Sequence, residues 1–134
     1  MVNLFRIKLF EEVAKSKLSG LIFTYVWKIG SKDDCDFINT IVRIFEQENA
    51  TVYYVELDAS VEERLKRNKS PDRLKCKPSK NDFEASENEL LTTDNQHILN
   101  FETKKFISKN HLKINNTKLS ADRAAEMIKE RFLL

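Results

Sequence analysis

Between residues 51 and 80 the sequence TVYYVELDASVEERLKRNKSPDRLKCKPSK runs without a break from a β-branched, aromatic segment through a helix start into a basic stretch punctuated by two prolines. Ser60 followed three residues later by Glu63 is a capping box, in which hydroxyl and carboxylate can satisfy the first orphan N–H groups of a helix. A strand that feeds directly into a capped helix is the opening of a βαβ unit, and this restricts the fold to the α/β class.

The rest of the chain reads in the same alternation. Over Asn3 to Lys15 the apolar residues Phe5, Leu9 and Val13, flanked by Leu4, Ile7 and Phe10, recur at helical spacing, with Gly20 as a stop. LIFTYVW, residues 21–27, is nearly continuous in apolar and aromatic residues and predicts a strand covered on both faces, the pattern of a parallel sheet. Ser31 with Asp34 predicts a second capped helix that carries Phe37, Ile38, Ile41, Val42 and Phe45 on one stripe and ends near Asn49. Thr51 to Leu57 is the second expected strand, and Pro71 and Pro78 bracket an expected loop. Asn81 to Phe106 is expected to be helical in parts, with Leu90 and Leu91 buried. Leu112 to Ile114 is a short third strand. A last helix opening near Ser120 sets Ala121, Ala124, Ala125, Ile128 and Phe132 on one face. Right-handed crossovers then give one α/β domain over residues 1–134, with helices on both faces of a parallel sheet. Three strands are few against the usual five or six.

A chain of 134 residues with 41% hydrophobic and 33% charged side chains has an ordinary globular composition. The longest apolar run is far shorter than the roughly 20 residues of a membrane helix, and the charged amino terminus does not read as a secretory signal. The expectation is a cytoplasmic protein without a membrane partner. Cys35 and Cys76 stand apart, and His97 and His111 add no ligand spacing, so neither a zinc site nor a disulfide framework is signalled.

The net charge of +2 conceals a local asymmetry. Residues 64–80 carry Arg64, Lys66, Arg67, Lys69, Arg73, Lys75, Lys77 and Lys80 against Asp72 alone. Residues 81–102 carry Asp82, Glu84, Glu87, Glu89, Asp94 and Glu102 without a Lys or Arg. A basic block followed by an acidic one can fold back on it, can bind an anion with its first half, or can stay solvated.

In open α/β sheets ligands sit beyond the carboxyl ends of the strands. After Leu57 come Asp58, Ala59, Ser60 and the helix bearing Arg64 and Arg67; after Ile114 come Asn115, Asn116 and Thr117, small polar groups able to face a flat ligand. On the segments LFRIKLFEEVAKS, LIFTYVW, VYYVELDASVEERLKRNKSPDRLKCKPSK, ENELLTT and INNTKLSADRAAEMIKERF, the chain resembles the carboxyl-terminal two thirds of small P-loop kinases of the shikimate and nucleotide kinase type. It is similar in particular to small bacterial ATPases labelled AAA-family or shikimate kinase-like.

The resemblance implies a P-loop kinase-like three-layer sandwich around a five-stranded parallel sheet. It also implies ATP and Mg2+ as cofactors, and phosphoryl transfer to a small-molecule acceptor or plain hydrolysis. It places Arg64, Arg67 and Arg73 in the catalytic role of closing on the triphosphate, with Lys75, Lys77 and Lys80 as weaker partners in a lid-like basic loop over residues 69–80. Guanidinium forks suit the role, because they bind phosphate oxygens bidentately and stabilise charge on a transferring phosphoryl group. By the same resemblance Asn115, Asn116 and Thr117 border the adenine base, and no residue is assigned to metal.

The departure from the family is the absence of GxxxxGK(S/T); the sequence has only Gly20 and Gly30. The loop's N–H cradle, lysine and magnesium-binding hydroxyl go with it. The expectation is therefore an incomplete fold lacking its first strand and P-loop, from an internal start at Met1 or in a degenerate relative, and inactive on its own. Two alternatives stand beside it. One is a non-catalytic module binding nucleotide or RNA, against which residues 64–80 offer no aromatic for base stacking. The other is a structural partner that completes its sheet by forming a homo-oligomer or by taking up a P-loop-bearing segment.

Overall fold

The computed structural model describes residues 2–78, 82–96, 99 and 109–134. Lys80, His97 and the expected helical stretch beyond residue 96 fall outside them. The chain divides into two units, Met1–Tyr53 and Tyr54–Leu134.

The first unit is a helical pair, α1 (Val2–Lys15) and α2 (Lys32–Gln47). α2 buries the stripe its periodicity predicts, whereas α1 forms but leaves Phe5 and Leu9 of its expected stripe exposed; Phe10 instead meets Phe37 and Ile41 on α2, with Ile7, Ile44 and Phe45 packed around them. The Ser31 side chain accepts the Asp34 N–H at 3.3 Å, so the expected cap forms. At the other end Asn49 takes a φ of 60° just past the helix, a left-handed position that asparagine tolerates.

LIFTYVW is not a strand. Residues 21–27 belong to no sheet, and Ile22 is 93% exposed, so the segment is not covered on both faces. Side-chain packing decides its path: Phe23 meets Phe10 edge-on at 5.0 Å, and Tyr25 meets Phe37 at 5.5 Å. The Tyr25 hydroxyl donates to Asp34 Oδ1 and the Lys28 N–H to Asp34 Oδ2, both at 2.8 Å, which anchors the segment to the start of α2. A turn then closes with the Ser31 N–H on the Lys28 carbonyl at 3.0 Å, and Gly30, at φ 88°, fills the position where a type II turn needs a positive φ.

The second unit contains β1 (Tyr54–Asp58), α3 (Val61–Asn68), α4 (Pro71–Cys76), α5 (Phe83–Gln96), β2 (His111–Asn115) and α6 (Ala121–Phe132). β1 and β2 pair in parallel, from Tyr54 opposite His111 to Asp58 opposite Asn115. The α/β class and the parallel pairing are thus as the sequence implied, with two strands among the described residues. Ile114 is 2% exposed, and α6, which buries Ala124 and Phe132, packs against β2. The alternate residues of the pair are polar: Glu56 reaches His111 Nε2 at 3.0 Å and Lys113 Nζ at 3.4 Å. Leu90 and Leu91 are half-buried rather than fully buried.

The expected basic loop over residues 69–80 contains a helical turn instead. Pro71 stands at the start of α4, where a fixed φ helps and a missing N–H costs nothing, and Ser70 caps the turn by accepting the Arg73 N–H at 3.3 Å. The proline that looked like a breaker is a helix start.

Candidate functional site

The carboxyl ends of β1 and β2 lie side by side, and the chain braces that rim with hydrogen bonds. The Asn116 N–H donates to the Asp58 carbonyl at 2.8 Å, extending the ladder one residue beyond the strands. The Ser60 N–H donates to Thr117 Oγ1 at 3.0 Å, while Ser60 Oγ accepts the Glu63 N–H at 3.2 Å. The Thr117 N–H in turn donates to Asn115 Oδ1 at 3.1 Å, an Asx-type turn that fixes the loop after β2.

Arg67 ties helix to loop. Its Nη2 donates to the Asn116 carbonyl at 2.6 Å and to the Thr117 carbonyl at 3.4 Å, and its Nε donates to Glu63 Oε1 at 2.8 Å. Arg64, one turn earlier, donates from Nε to the Ala59 carbonyl at 3.1 Å and from Nη2 to Asp94 Oδ1 at 2.5 Å. Arg64, Arg67, Asn115, Asn116 and Thr117 therefore meet at one rim. Arg73 and Lys75 do not join these contacts: they lie on α4, Arg73 half-buried and Lys75 exposed.

The charges of the rim are largely compensated from within. Glu63 sits against Arg67 and Asp94 against Arg64, while Lys69, just past the end of α3, pairs with Glu87 at 2.8 Å. Side chains here are roughly a quarter to a half exposed, so each pair contributes only about 0.2–1 kcal/mol. Nη1 of either arginine takes no part in these contacts, and a guanidinium has five N–H donors, so each can add a ligand oxygen without turning around. The sequence marked Glu63 only as a helix cap and Glu87 and Asp94 only as members of the acidic block, not as partners of particular cations; of the options open to that block, folding back on the basic one is what Asp94 and Glu87 do.

For a metal the donors do not fit. Asp58 ends β1 with Lys113 Nζ 4.0 Å from its Oδ2, and no group of three His, Cys, Asp or Glu among the described residues could hold an ion. For a phosphate the donors do fit, since two guanidinium groups and a hydroxyl converge at strand ends. No described helix is long and apolar enough to cross a membrane. Comparison with known proteins finds no matching family model, no matching curated protein and no matching solved structure.

Proposed function

We propose that this chain is a nucleotide-binding module of the P-loop kinase and ATPase type, which binds the phosphates of ATP at the carboxyl rim of its parallel pair. One observation carries the reading: Arg64 and Arg67 on α3 and the loop Asn115–Thr117 converge where β1 and β2 end together. Arg64 and Arg67 supply the charge-assisted contacts, and the amides and hydroxyl of Asn116 and Thr117 border the base. Any Mg2+ arrives with the nucleotide, because the rim has no donor set of its own for it. Phosphoryl transfer is not assigned to the chain alone, since its sequence lacks GxxxxGK(S/T) and hence that motif's cradle of backbone N–H groups.

The expected affinity is low. Two charge-assisted contacts at about 1.5–3 kcal/mol each sum to about 3–6 kcal/mol, which corresponds to dissociation near the millimolar range. Titration of the 134-residue chain with ATP, followed by NMR shifts of Ser60, Asn116 and Thr117 amides, tests this. Saturable shifts that weaken with added NaCl and are lost in Arg64→Gln are expected, with no Mg2+-dependent ATP hydrolysis above buffer. Unmoved rim amides at 10 mM ATP, roughly ten times the dissociation constant estimated above, would sink the reading.

A further inference from the structure

The acidic helix α5 sets carboxylates against Arg64 of α3 and against Lys69 just past it. The two helices run antiparallel, so Asp94 near the end of α5 meets Arg64 early in α3, and Glu87 meets Lys69 just past its end. Between those pairs Asn68 and Ser86 are 2% and 6% exposed and satisfy each other, Nδ2 donating to Oγ at 2.8 Å and the hydroxyl donating to Oδ1 at 3.1 Å. Ser86 is the one residue of α5 that is buried among those described. Leu90 and Leu91 are half-buried, so α5 is held by part-exposed ion pairs, partial apolar burial and one buried polar contact, and a helix held in this way opens more readily than one anchored by full apolar burial.

Asp94 is also placed against its own helix. It lies in the last turn of α5, where carbonyl groups converge and a carboxylate is disfavoured, and that turn has no basic residue. Arg64 offsets the repulsion. The contact has the chemistry of an arginine–phosphate fork, a guanidinium N–H on an anionic oxygen, so Asp94 occupies a donor that a phosphate would use. Arg64 remains aimed at the rim without Asp94, because its Nε is held by the Ala59 carbonyl.

We propose that α5 is an autoinhibitory acidic latch: its carboxylates Asp94 and Glu87 occupy Arg64 and Lys69 when no ligand is present, and a polyphosphate displaces them as it binds. The inference rests on the nucleotide-binding reading above and adds regulation to that site. Ligand and latch compete, so anything that neutralises α5 tightens binding, and ligand binding loosens α5.

Inorganic tripolyphosphate is the probe, titrated by calorimetry into the full chain as wild type, Asp94→Asn, Glu87→Gln and, as a charge-matched control on α6, Glu126→Gln. Each latch substitution is expected to tighten binding about two- to fivefold, the worth of one exposed ion pair, and the control is expected to change nothing. Saturating tripolyphosphate is expected to speed hydrogen exchange of α5 amides in the wild type, a readout that stands even if Asp94→Asn does not fold. Binding by wild type with equal affinity in the latch variants and the control, or unchanged α5 exchange, overturns the latch alone. Absence of binding by every protein overturns the nucleotide site and the latch with it.

Discussion

Arg67→Ala is the substitution that most sharply separates a brace from a bystander. The lost contacts are a charge-assisted hydrogen bond to the Asn116 carbonyl at 2.6 Å, a long one to Thr117 at 3.4 Å and the i,i+4 pair with Glu63. A hydrogen bond from a charged donor contributes about 1.5–3 kcal/mol, and the helix pair about 0.3–0.5 kcal/mol. The rim admits water to the abandoned carbonyls, since Asn116 and Thr117 are only half-buried, which places the sum near the low end, at about 2 kcal/mol. For a domain of about 60–100 residues, the size class of the second unit, this is a melting shift of about 8–16 °C. Glu63→Gln removes the helix pair alone and should cost only about 0.5 kcal/mol. Urea unfolding followed by circular dichroism measures both. A loss in Arg67→Ala no larger than in Glu63→Gln would refute the argument, because it would mean that the carbonyl contacts contribute nothing to folding.

Gly30→Ala tests the turn before α2: nothing lies within 4 Å of the added methyl, so the cost comes from φ 88° alone, about 1–2 kcal/mol, read as a lower urea midpoint. Tyr25 gives an alkaline signature. Burial first, then the hydrogen bond to Asp34 and its charge, raise its phenol above the usual value near 10, so the folded state holds the proton more tightly than the unfolded chain. Its contribution is fully present below pH 10 and is lost as pH rises through the raised folded value. Stability measured from pH 8 to 11.5 should therefore fall more steeply in wild type than in Tyr25→Phe, and parallel curves would contradict the shift.

What could be read in the sequence was what is decided locally. Ser31, Ser60 and Ser120 each sit before a helical stripe, and each side chain accepts the N–H three residues on, from Asp34, Glu63 and Arg123. A cap involves four consecutive residues, so no distant contact can overrule it cheaply. LIFTYVW failed for the opposite reason. A run of apolar and aromatic residues suits a strand covered on both faces, but it equally suits a connector whose Phe23 and Tyr25 dock on a helical pair. Pro71 was ambiguous in the same way, since a loop residue and a first helical residue share one φ.

The rim lies between these cases. That Arg64 and Arg67 would lie near the ends of the strands followed from their place on the helix after the second expected strand, and only two residues separate the end of β1 from the start of α3. Their partners did not follow, because Asp94 and Asn116 lie 30 and 49 residues further along the chain. Charge order along the sequence supplies the sign of such a pairing but not its register. The register comes from Asn68 and Ser86, the one buried polar pair between α3 and α5, which would be left unsatisfied by any slip of one helix along the other. A slip of one turn would bury an amide without its partner and separate both ion pairs at once, so two ordinary polar side chains determine which carboxylate meets which cation. Asn68→Leu should accordingly loosen the correspondence between Arg64 and Asp94 even where α5 stays helical, and a double-mutant cycle of Arg64 and Asp94 in that background should lose its coupling.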